Sequence, residues 1–505
     1  MSTIPFLLSG HFKLTQFMKD IFFALWLTIA FSIQTAYCQQ VEQNEVFELE
    51  WKCKAEGNPY TDVSLSAEFS NKNRTFFIEG FYDGDDTYRL RFMPDEVGQW
   101  RYVTTANVTA LNAKKGNFIC VPNTQGNRGM VKVRDTFHFG HADGTPFYPL
   151  GTTCYGWVWQ GDELVNQTLE TLRGTAFNKI RMTVMPKHYS VYINNDPPFF
   201  PFEGSAKEGW DFSRFNPEYF RYLETQIRRL GDLGVEADLI LFHPYDYGKW
   251  KLNEMPPEAA VIYLRYLIAR LAAYHNIWWS MANEYDMMRK SREEWETYFR
   301  TVQTYDLYGH LMGMHNGQKM YDHSKPWITH LSVQTHDLFH IQDWRELYQK
   351  PVVMDEVVYE GNIPTDWGNL TPQEMMNRFW VCWTRGAYCT HGETYEHPKN
   401  VLWWSKGGEL YGKSPERLAF LKKIMEDAPT RGLIPFHNEW NKQTYVFTKD
   451  GHYFLHYYKN HQQASARLQL PDDKQFKVDV IDAWNMTVTP RDGTLSGEVF
   501  IPLPQ

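Results

Sequence analysis

The pattern of apolar and polar residues divides the chain into three successive stretches. Residues 41–121 alternate with a period of two between turn signals and show no helical period, which is typical of a small antiparallel β-sandwich. The same pattern returns after about residue 430 and predicts a second small β-sandwich. Between them, short β-rich apolar runs alternate with helical stretches, so this region belongs to the α/β class.

The middle stretch contains eight short apolar runs, and amphipathic helices are predicted between most of them. Residues 217–232 and 258–274 have a helical period, and Asn216-Pro217 is a typical helix start. Eight such alternations predict a (β/α)8 barrel, although the gap from 315 to 328 leaves room for almost no helix. The predicted strands are 147–153, 177–185, 236–242, 277–283, 310–315, 328–334, 351–356 and 387–392.

One connection of the predicted barrel is unusually long and rich in aromatic residues. It covers residues 186–216 and includes Trp210 and the aromatic and proline residues of 197–202. A long loop that follows a barrel strand lies at the catalytic face. We therefore interpret it as a wall of the substrate cleft, with packing against a neighbouring domain as the alternative.

The N-terminus carries an apolar run of signal-peptide length, residues 21–33, preceded by Met18-Lys19 and followed by Ala36-Tyr37-Cys38. We expect export to the periplasm or the medium; an outer-membrane lipoprotein anchored at Cys38 is the alternative. The true start of the chain could be Met18. The predicted divisions are a signal peptide at 1–38, a β-sandwich at 39–122, a barrel with a leading hairpin at 123–429, and a β-sandwich at 430–505.

Composition excludes several classes of protein. With 43% hydrophobic residues the chain is not disordered, and a net charge of −9 without a basic run argues against nucleic-acid binding. The five cysteines beyond the signal peptide lack CxxC spacing, so neither a zinc site nor a disulfide framework is expected. Cys53 and Cys120 could pair, or both could be buried free thiols.

Candidate catalytic residues lie at the ends of the predicted strands, where (β/α)8 barrels carry their chemistry. Glu284 follows the fourth strand and Glu356 ends the seventh. A carboxylate at the end of a buried strand is costly unless it has partners or a function. Cleavage of a glycosidic bond needs two carboxyl groups, one to protonate the leaving oxygen and one to attack the sugar or activate water.

The motifs Asn283-Glu284 and Asp355-Glu356 on these strands resemble the clan A glycoside hydrolases. The segments YPLGTTCYGW, WWSMANEYD, DEVVYEG and LWWSKGGELYG are more narrowly similar to bacterial hydrolases near the apiosidase-like enzymes, which have comparable flanking β-domains. The resemblance implies that Glu284 is the acid/base and Glu356 the nucleophile of a retaining enzyme. The chain departs from many relatives on the sixth strand, where Gln334-Thr335-His336 replaces His-x-Tyr.

Further residues are predicted around this pair. Arg181, His243 and Trp403 fall where the clan places binding-site residues. Asn283 is the predicted partner of the sugar 2-hydroxyl. Glu393 is expected to bind substrate and is the nearest competitor for the nucleophile. Asp286 and Asp355 are expected to be structural. The predicted substrate-binding residues are Arg181, His243, Asn283, His336, Tyr359, Glu393 and Trp403.

Two other functions compete with glycoside hydrolysis. A metal-dependent barrel hydrolase could use histidines at strand ends (His243, His315, His336 and His391), but the first strand lacks the His-x-His motif of metallo-amidohydrolases. A non-catalytic carbohydrate-binding protein would keep the aromatic residues but would not need both glutamates. We expect an oligo- or polysaccharide substrate, neutral or mildly polar, no cofactor or metal, and membrane association only through Cys38. The oligomeric state is left open.

Overall fold

The computed structural model describes residues 39–124, 126–188, 196–246, 248–396, 402–429, 433–438, 443–459 and 463–503. The predicted signal peptide, including Cys38, lies outside the described residues. Within these ranges, no helix combines the length and the apolar character that a membrane span requires. The five described cysteines, among them Cys53 and Cys120, are buried free thiols.

Eight parallel strands form the predicted barrel, and each corresponds to one of the predicted apolar runs. Along the sheet the order is fifth, fourth, third, second, first, eighth, seventh and sixth. An isolated bridge between His315 and Ser332 joins the fifth strand to the sixth and brings the barrel close to closure. In chain order the strands are Leu150–Thr153, Lys179–Thr183, Glu236–Phe242, Ile277–Ala282, Met312–Gly313, Leu331–Gln334, Val352–Glu356 and Tyr388–His391.

Helices connect most barrel strands, as predicted, and none lies between the fifth and sixth strands in the described residues. The side chain of Asn216 accepts a hydrogen bond from the backbone of Glu218, which confirms the predicted start of the second helix. The α-helices are Asp162–Arg173, Pro217–Asp232, Pro257–Leu271, Arg292–Tyr305, Ile341–Tyr348, Pro372–Thr384, Trp403–Lys406 and Ser414–Asp427. Short 3-10 helices are Trp157–Trp159, Leu252–Glu254, Tyr285–Met287 and Asp366–Gly368.

The N-terminal region is a β-sandwich of two sheets, as its alternating pattern predicted. The sheets enclose an aromatic core in which Phe47 stacks on Phe118 with ring centroids 3.8 Å apart. One sheet contains Gln39–Glu42, Leu65–Ser70, Thr75–Glu79, Gly98–Ala106 and Lys115–Val121; the other contains Phe47–Lys52, Phe81–Tyr82 and Thr87–Phe92. A hairpin sheet of Val131–Arg134, His138–His141 and Pro146–Phe147 leads into the barrel.

A buried ionic network attaches the N-terminal sandwich to the barrel. Glu224 of the second helix accepts from Arg91 of the sandwich at 2.9 Å and from Arg270 of the third helix at 2.5 Å. Arg270 also pairs with Asp83 at 2.8 Å. Because each buried charge has a partner of opposite sign, the network tolerates burial and fixes the sandwich against these two helices.

The C-terminal region consists of three small antiparallel sheets. The first packs on the barrel, where Tyr457 stacks on Trp380 at 5.4 Å. A separate small core includes Leu468 and Ile501. The strands are Leu433–Asn438, Gln443–Thr448 and Phe454–Tyr457; Ser465–Gln469 and Glu498–Pro502; and Asp479–Asp482 and Thr487–Pro490.

The long aromatic connection after the second strand contains a hairpin, Phe202–Ser205 with Gly209–Phe215. Residues 189–195 of this connection lie outside the described residues. The Trp210 indole donates to the backbone of Trp250 at 2.6 Å, and Phe200 packs between these two rings. Trp210 and Phe200 therefore pack on the barrel itself, and the interpretation of the loop as a wall of the substrate cleft stays a prediction.

Candidate active site

Glu284 and Glu356 meet at the carboxyl end of the barrel, with side chains that are almost completely buried. The amide of Gln334 connects them: its Nε2 donates to Glu284 Oε1 at 3.1 Å, and its Oε1 lies 3.1 Å from His315 Nε2. That His315 nitrogen is also 3.4 Å from Glu356 Oε1. Two side chains therefore span the gap between the two carboxylates, which places both at one site.

A second bridge runs through Asn283 and Tyr155. Asn283 Nδ2 donates to Glu284 Oε2 at 3.2 Å, and Asn283 Oδ1 accepts from Arg181 Nη2 at 2.9 Å. Because a guanidinium can only donate, this contact fixes which end of the Asn283 amide faces Glu284. The Tyr155 hydroxyl donates to Glu356 and lies 3.3 Å from Asn283 Oδ1.

Arg181 also sets the protonation of His315. Its Nη1 lies 3.2 Å from His315 Nδ1, which must therefore be an acceptor, so the ring proton is on Nε2 and points toward Glu356 and Gln334. Burial and then the charge of Arg181 lower the pKa of His315. A neutral histidine that donates to Glu356 favours the ionised form of this carboxylate.

A buried polar network inside the barrel holds Arg181 in place. Asp355 accepts from Lys179 Nζ at 2.8 Å and lies 3.8 Å from Arg181 Nη1, and Lys179 also pairs with Asp238 at 2.7 Å. Burial alone would raise the pKa of Asp355, but Lys179 and Arg181 lower it well below its usual range. Asp355 therefore has the structural role that was expected of it.

The surroundings of Glu284 favour its protonated form. Burial, followed by the charge of Glu356, raises the pKa of Glu284 to about 7. The Tyr245 hydroxyl, in the loop after the third strand, is hydrogen-bonded to Glu284 Oε2; it can donate to the ionised carboxylate and accept from the protonated carboxyl group. The Glu284 backbone has φ 48°, in the left-handed region that non-glycine residues rarely adopt, so the strand ends abruptly at this residue.

The surroundings of Glu356 favour its ionised form. Burial would raise its pKa, but the hydrogen bond from His315, followed by the charges of Arg181 and Lys187, lowers it to about 2. The Tyr359 phenol lies beside it, and burial and then the charge of Glu356 raise the pKa of Tyr359 well above its usual range. Val358, between them in the chain, has φ 70°, a strained conformation for a β-branched residue.

Lys187 lies among aromatic rings close to both glutamates. Its Nζ is 3.4 Å from the centroid of Tyr155, 4.2 Å from that of Tyr245 and 5.5 Å from that of Trp404. Burial lowers the pKa of Lys187 to about 7, although the charges of Glu356 and Glu284 act to raise it. Lys187 thus links the two tyrosines that hydrogen-bond to the two carboxylates.

Some predicted substrate-binding residues have supporting positions. His243 accepts from the backbone of Tyr245 at 3.2 Å, so its Nε2 donates to the Met185 carbonyl at 3.4 Å. It therefore positions the loop that carries Tyr245. The Trp403 indole faces inward and donates to Thr152 Oγ1 at 2.8 Å. The neighbouring Trp404 contacts Tyr155 and Tyr359 instead.

Two predicted residues are not brought to the pair. His336 is exposed and packs edge-on against Trp367 at 4.8 Å, because the sixth strand ends at Gln334 and the chain turns outward. Glu393 is buried, with its carboxylate oxygens accepting from the backbone of Tyr411 at 2.5 Å and Gly412 at 2.8 Å. The Glu393 side chain is thereby directed toward Glu360 instead of Glu356.

Six residues that contact this site or its neighbours were not among the predicted catalytic and substrate-binding residues. Two of them had a usable signal, since His315 and Gln334 end predicted strands. The others lie beyond strand ends, three in loops and Trp404 in the four-residue helix Trp403–Lys406, where periodicity gives no direction for a side chain. The six are Tyr155, Lys187, Tyr245, His315, Gln334 and Trp404.

Comparison with known families agrees with this architecture. The family described as "Apiosidase-like, catalytic domain" matches residues 134–443. Two families described as domains of unknown function, DUF5060 and DUF5605, match residues 40–107 and 440–505. No curated protein is significantly similar to the chain.

Solved structures show the same fold. A candidate glycoside hydrolase from Bacteroides vulgatus ATCC 8482 is 37% identical with a TM-score of 0.83, covering 92% of this chain and 98% of that one. A family 5 glycoside hydrolase from the same organism is 16% identical with a TM-score of 0.60, covering 76% of this chain and 92% of its own. At that identity the second likeness concerns the fold alone.

The family match and the similarity to a solved glycoside hydrolase structure over nearly the whole chain show an enzyme of the glycoside hydrolase class. The chain belongs to the apiosidase-like catalytic-domain family, with the match covering residues 134–443.

Proposed function

We propose that the protein hydrolyses a glycosidic bond with retention of anomeric configuration, with Glu356 as nucleophile and Glu284 as acid/base. The observation that carries the proposal is the opposite shift of two adjoining carboxyl groups. The pKa of Glu284 is raised to about 7 and that of Glu356 is lowered to about 2. One group is therefore a proton donor and the other an anion over a broad pH range.

Glu356 is suited to attack the anomeric carbon because it remains ionised although it is buried. His315 and Tyr155 donate hydrogen bonds to its Oε1, and the charges of Arg181 and Lys187 stabilise the anion. Both of these contacts are made to Oε1 and not to the other oxygen, Oε2. That oxygen is the one we assign to bond formation with the sugar.

Glu284 is suited to protonate the leaving oxygen and then to activate water. The charge of Glu356 contributes to its raised pKa. When Glu356 becomes an ester in the glycosyl-enzyme, that charge disappears and Glu284 loses its proton more easily. The same residue can then remove a proton from the water that hydrolyses the ester.

The substrate that we propose is a complex glycan of plant type, neutral or mildly polar. The proposal rests on composition, because a chain with 16% aromatic residues and a net charge of −9 favours a neutral glycan over a polyanionic one. Screening the purified protein against plant polysaccharides, with analysis of the products, tests this assignment. Activity restricted to strongly sulfated or phosphorylated glycans would contradict it.

Stereochemistry tests the mechanism directly. Proton NMR of the first-formed anomer should show the configuration of the substrate, because two displacements at the same carbon restore it. An inverted product would exclude a covalent intermediate on Glu356, since a single displacement by water inverts the centre.

We also propose export, on the evidence of residues 18–38. Sequencing the N-terminus of protein from native envelopes should find a start at or near Gln39. Retention of Met1 would contradict export by cleavage.

A further inference from the structure

A second pair of glutamates is buried next to the site, outside the proposed chemistry. Glu360 follows the seventh barrel strand and Glu393 follows the eighth, and the two residues are direct partners in a short parallel pairing. Both side chains are almost completely inaccessible to solvent. Like charges directly opposite each other destabilise a sheet, and burial increases this cost.

Neutral donors satisfy the oxygens of this pair but do not balance its charge. Glu393 accepts from the backbone N–H groups of Tyr411 and Gly412, and Glu360 accepts from the backbone of Lys413 at 2.8 Å and the Tyr395 hydroxyl at 3.1 Å. Among the described residues, no lysine or arginine side chain forms an ion pair with either glutamate. Within the described part of the chain the pair thus lacks a cationic side chain, and a shared proton or a bound cation would neutralise it.

The neighbouring His391 has a buried nitrogen without a hydrogen-bond partner. His391 is fully buried, and its Nε2 has no partner among the described residues. Its Nδ1 lies 3.2 Å from Thr152 Oγ1, which also accepts from the Trp403 indole at 2.8 Å. If Nδ1 also donates to this oxygen, Nε2 carries a lone pair, as in histidines that bind a metal.

We propose that Glu360, His391 and Glu393 form a binding site for a divalent transition-metal ion, with Zn²⁺ as the probe. One ring nitrogen of His391 and one oxygen from each carboxylate lie within 4.8 Å of one another, close enough for one ion after small shifts. Imidazole with carboxylates suits such ions. The ion would balance the two charges and give His391 a partner.

The site would be structural because protein surrounds it. Gly412 approaches so closely that a Cβ there would lie 2.6 Å from Glu393 Oε2 and 2.7 Å from Glu360 Oε1. An ion at this point would join the segments after the seventh and eighth strands to residues 411–414. Those segments also carry Tyr359 and precede Trp404, so the ion would support one side of the active site.

Metal analysis of the full chain, purified without chelators or metal-affinity resin, tests the proposal. We expect about one transition-metal ion per chain, or, for protein isolated without metal, a rise of several degrees in Tm when Zn²⁺ is added. Metal-free protein whose Tm does not rise with Zn²⁺ would overturn the proposal and leave a shared proton as the neutralising group.

Variants locate the ion. His391→Gln and Glu393→Gln should each lose the metal, with circular dichroism used to verify folding. His323→Gln is the matched control, because His323 is also a buried histidine with unpartnered nitrogens but lies outside the cluster. Equal metal content in all three variants would show that the ion binds elsewhere and would overturn the assignment. If a variant fails to fold, the metal analysis and the Tm measurement on the wild-type protein still test the proposal.

Discussion

Two pairs of buried glutamates occupy the same end of the barrel, yet their surroundings differ in kind. The pair Glu284 and Glu356 is surrounded by side chains that act differently on its two members. Arg181, His315 and Lys187 favour the anion of Glu356, while burial and the nearby charge favour the acid form of Glu284. This asymmetry is what the proposed roles of Glu284 as acid and Glu356 as nucleophile require.

In the second pair, Glu360 and Glu393, mainly backbone N–H groups serve as donors. Burial raises the pKa of Glu393 to about 8, although the backbone groups of Tyr411 and Gly412 act to lower it. Residues 411–414 also close over these carboxylates. Under the proposed mechanism, position at a strand end does not by itself make a carboxylate catalytic; its charged neighbours also decide.

The sharpest test of this comparison substitutes one glutamate of each pair in separate variants. Glu356→Ala should reduce kcat by several orders of magnitude, because no other group can form the glycosyl-enzyme. Glu393→Gln, measured per folded molecule, should retain activity within about tenfold, since its carboxylate does not face the pair. The opposite result would identify Glu393 as the nucleophile.

The acid role of Glu284 gives a smaller and more selective effect. Glu284→Gln should greatly slow hydrolysis of substrates with poor leaving groups and affect activated aryl glycosides far less, because those leave without a proton. The ratio of kcat/KM for the two substrate types measures this. Glu356→Gln is the matched control and should lose both activities; equal losses in Glu284→Gln would argue against general acid catalysis.

The pH profile tests the electrostatic asymmetry. Glu284 must hold a proton, so activity should fall as pH rises through its pKa of about 7. Lys187 lowers the pKa of both glutamates, so Lys187→Met should move the alkaline limb upward by about one unit. The exposed ion-pair residue Lys249 is the control, and Lys249→Met should leave kcat/KM against pH unchanged. An unshifted limb in Lys187→Met would contradict the coupling.

The smallest expected effect concerns the second pair of glutamates, Glu360 and Glu393, which residues 411–414 cover. Gly412→Ala would place a Cβ against both carboxylates and should lower the free energy of unfolding by about 1–3 kcal/mol. Gly174→Ala is the matched control, because its Cβ would meet nothing closer than 3.5 Å. Chemical denaturation measures both; equal stability of the two variants would show that the loop at Gly412 gives way without cost.

The fold was largely predictable because its signals are local. The alternation of short apolar runs with amphipathic stretches predicted eight strands, and the proline after Asn216 marked a helix start that the structure confirms. The rule that barrel chemistry lies at carboxyl strand ends then directed attention to Glu284 and Glu356, because each follows a buried strand.

The same rule could not separate Glu393 from these two, or Trp403 from Trp404. Each of these residues also lies at or beyond a strand end, and neighbouring residues in a loop point in different directions. Only the tertiary structure shows that the Trp403 indole reaches Thr152 inside the barrel while Trp404 contacts Tyr155. Side-chain direction in loops depends on contacts that are distant in sequence.

The sequence by itself therefore determined the order of strands and helices and the positions of two glutamates on them, since periodicity and strand ends are properties of short segments. The tertiary structure decided which charges surround each glutamate. Tyr155 and Glu356 are separated by 201 positions, and Arg181 and Asn283 by 102, yet both pairs are in contact. A pKa depends on such neighbours in space, so the assignment of acid and nucleophile from physical evidence required the folded barrel.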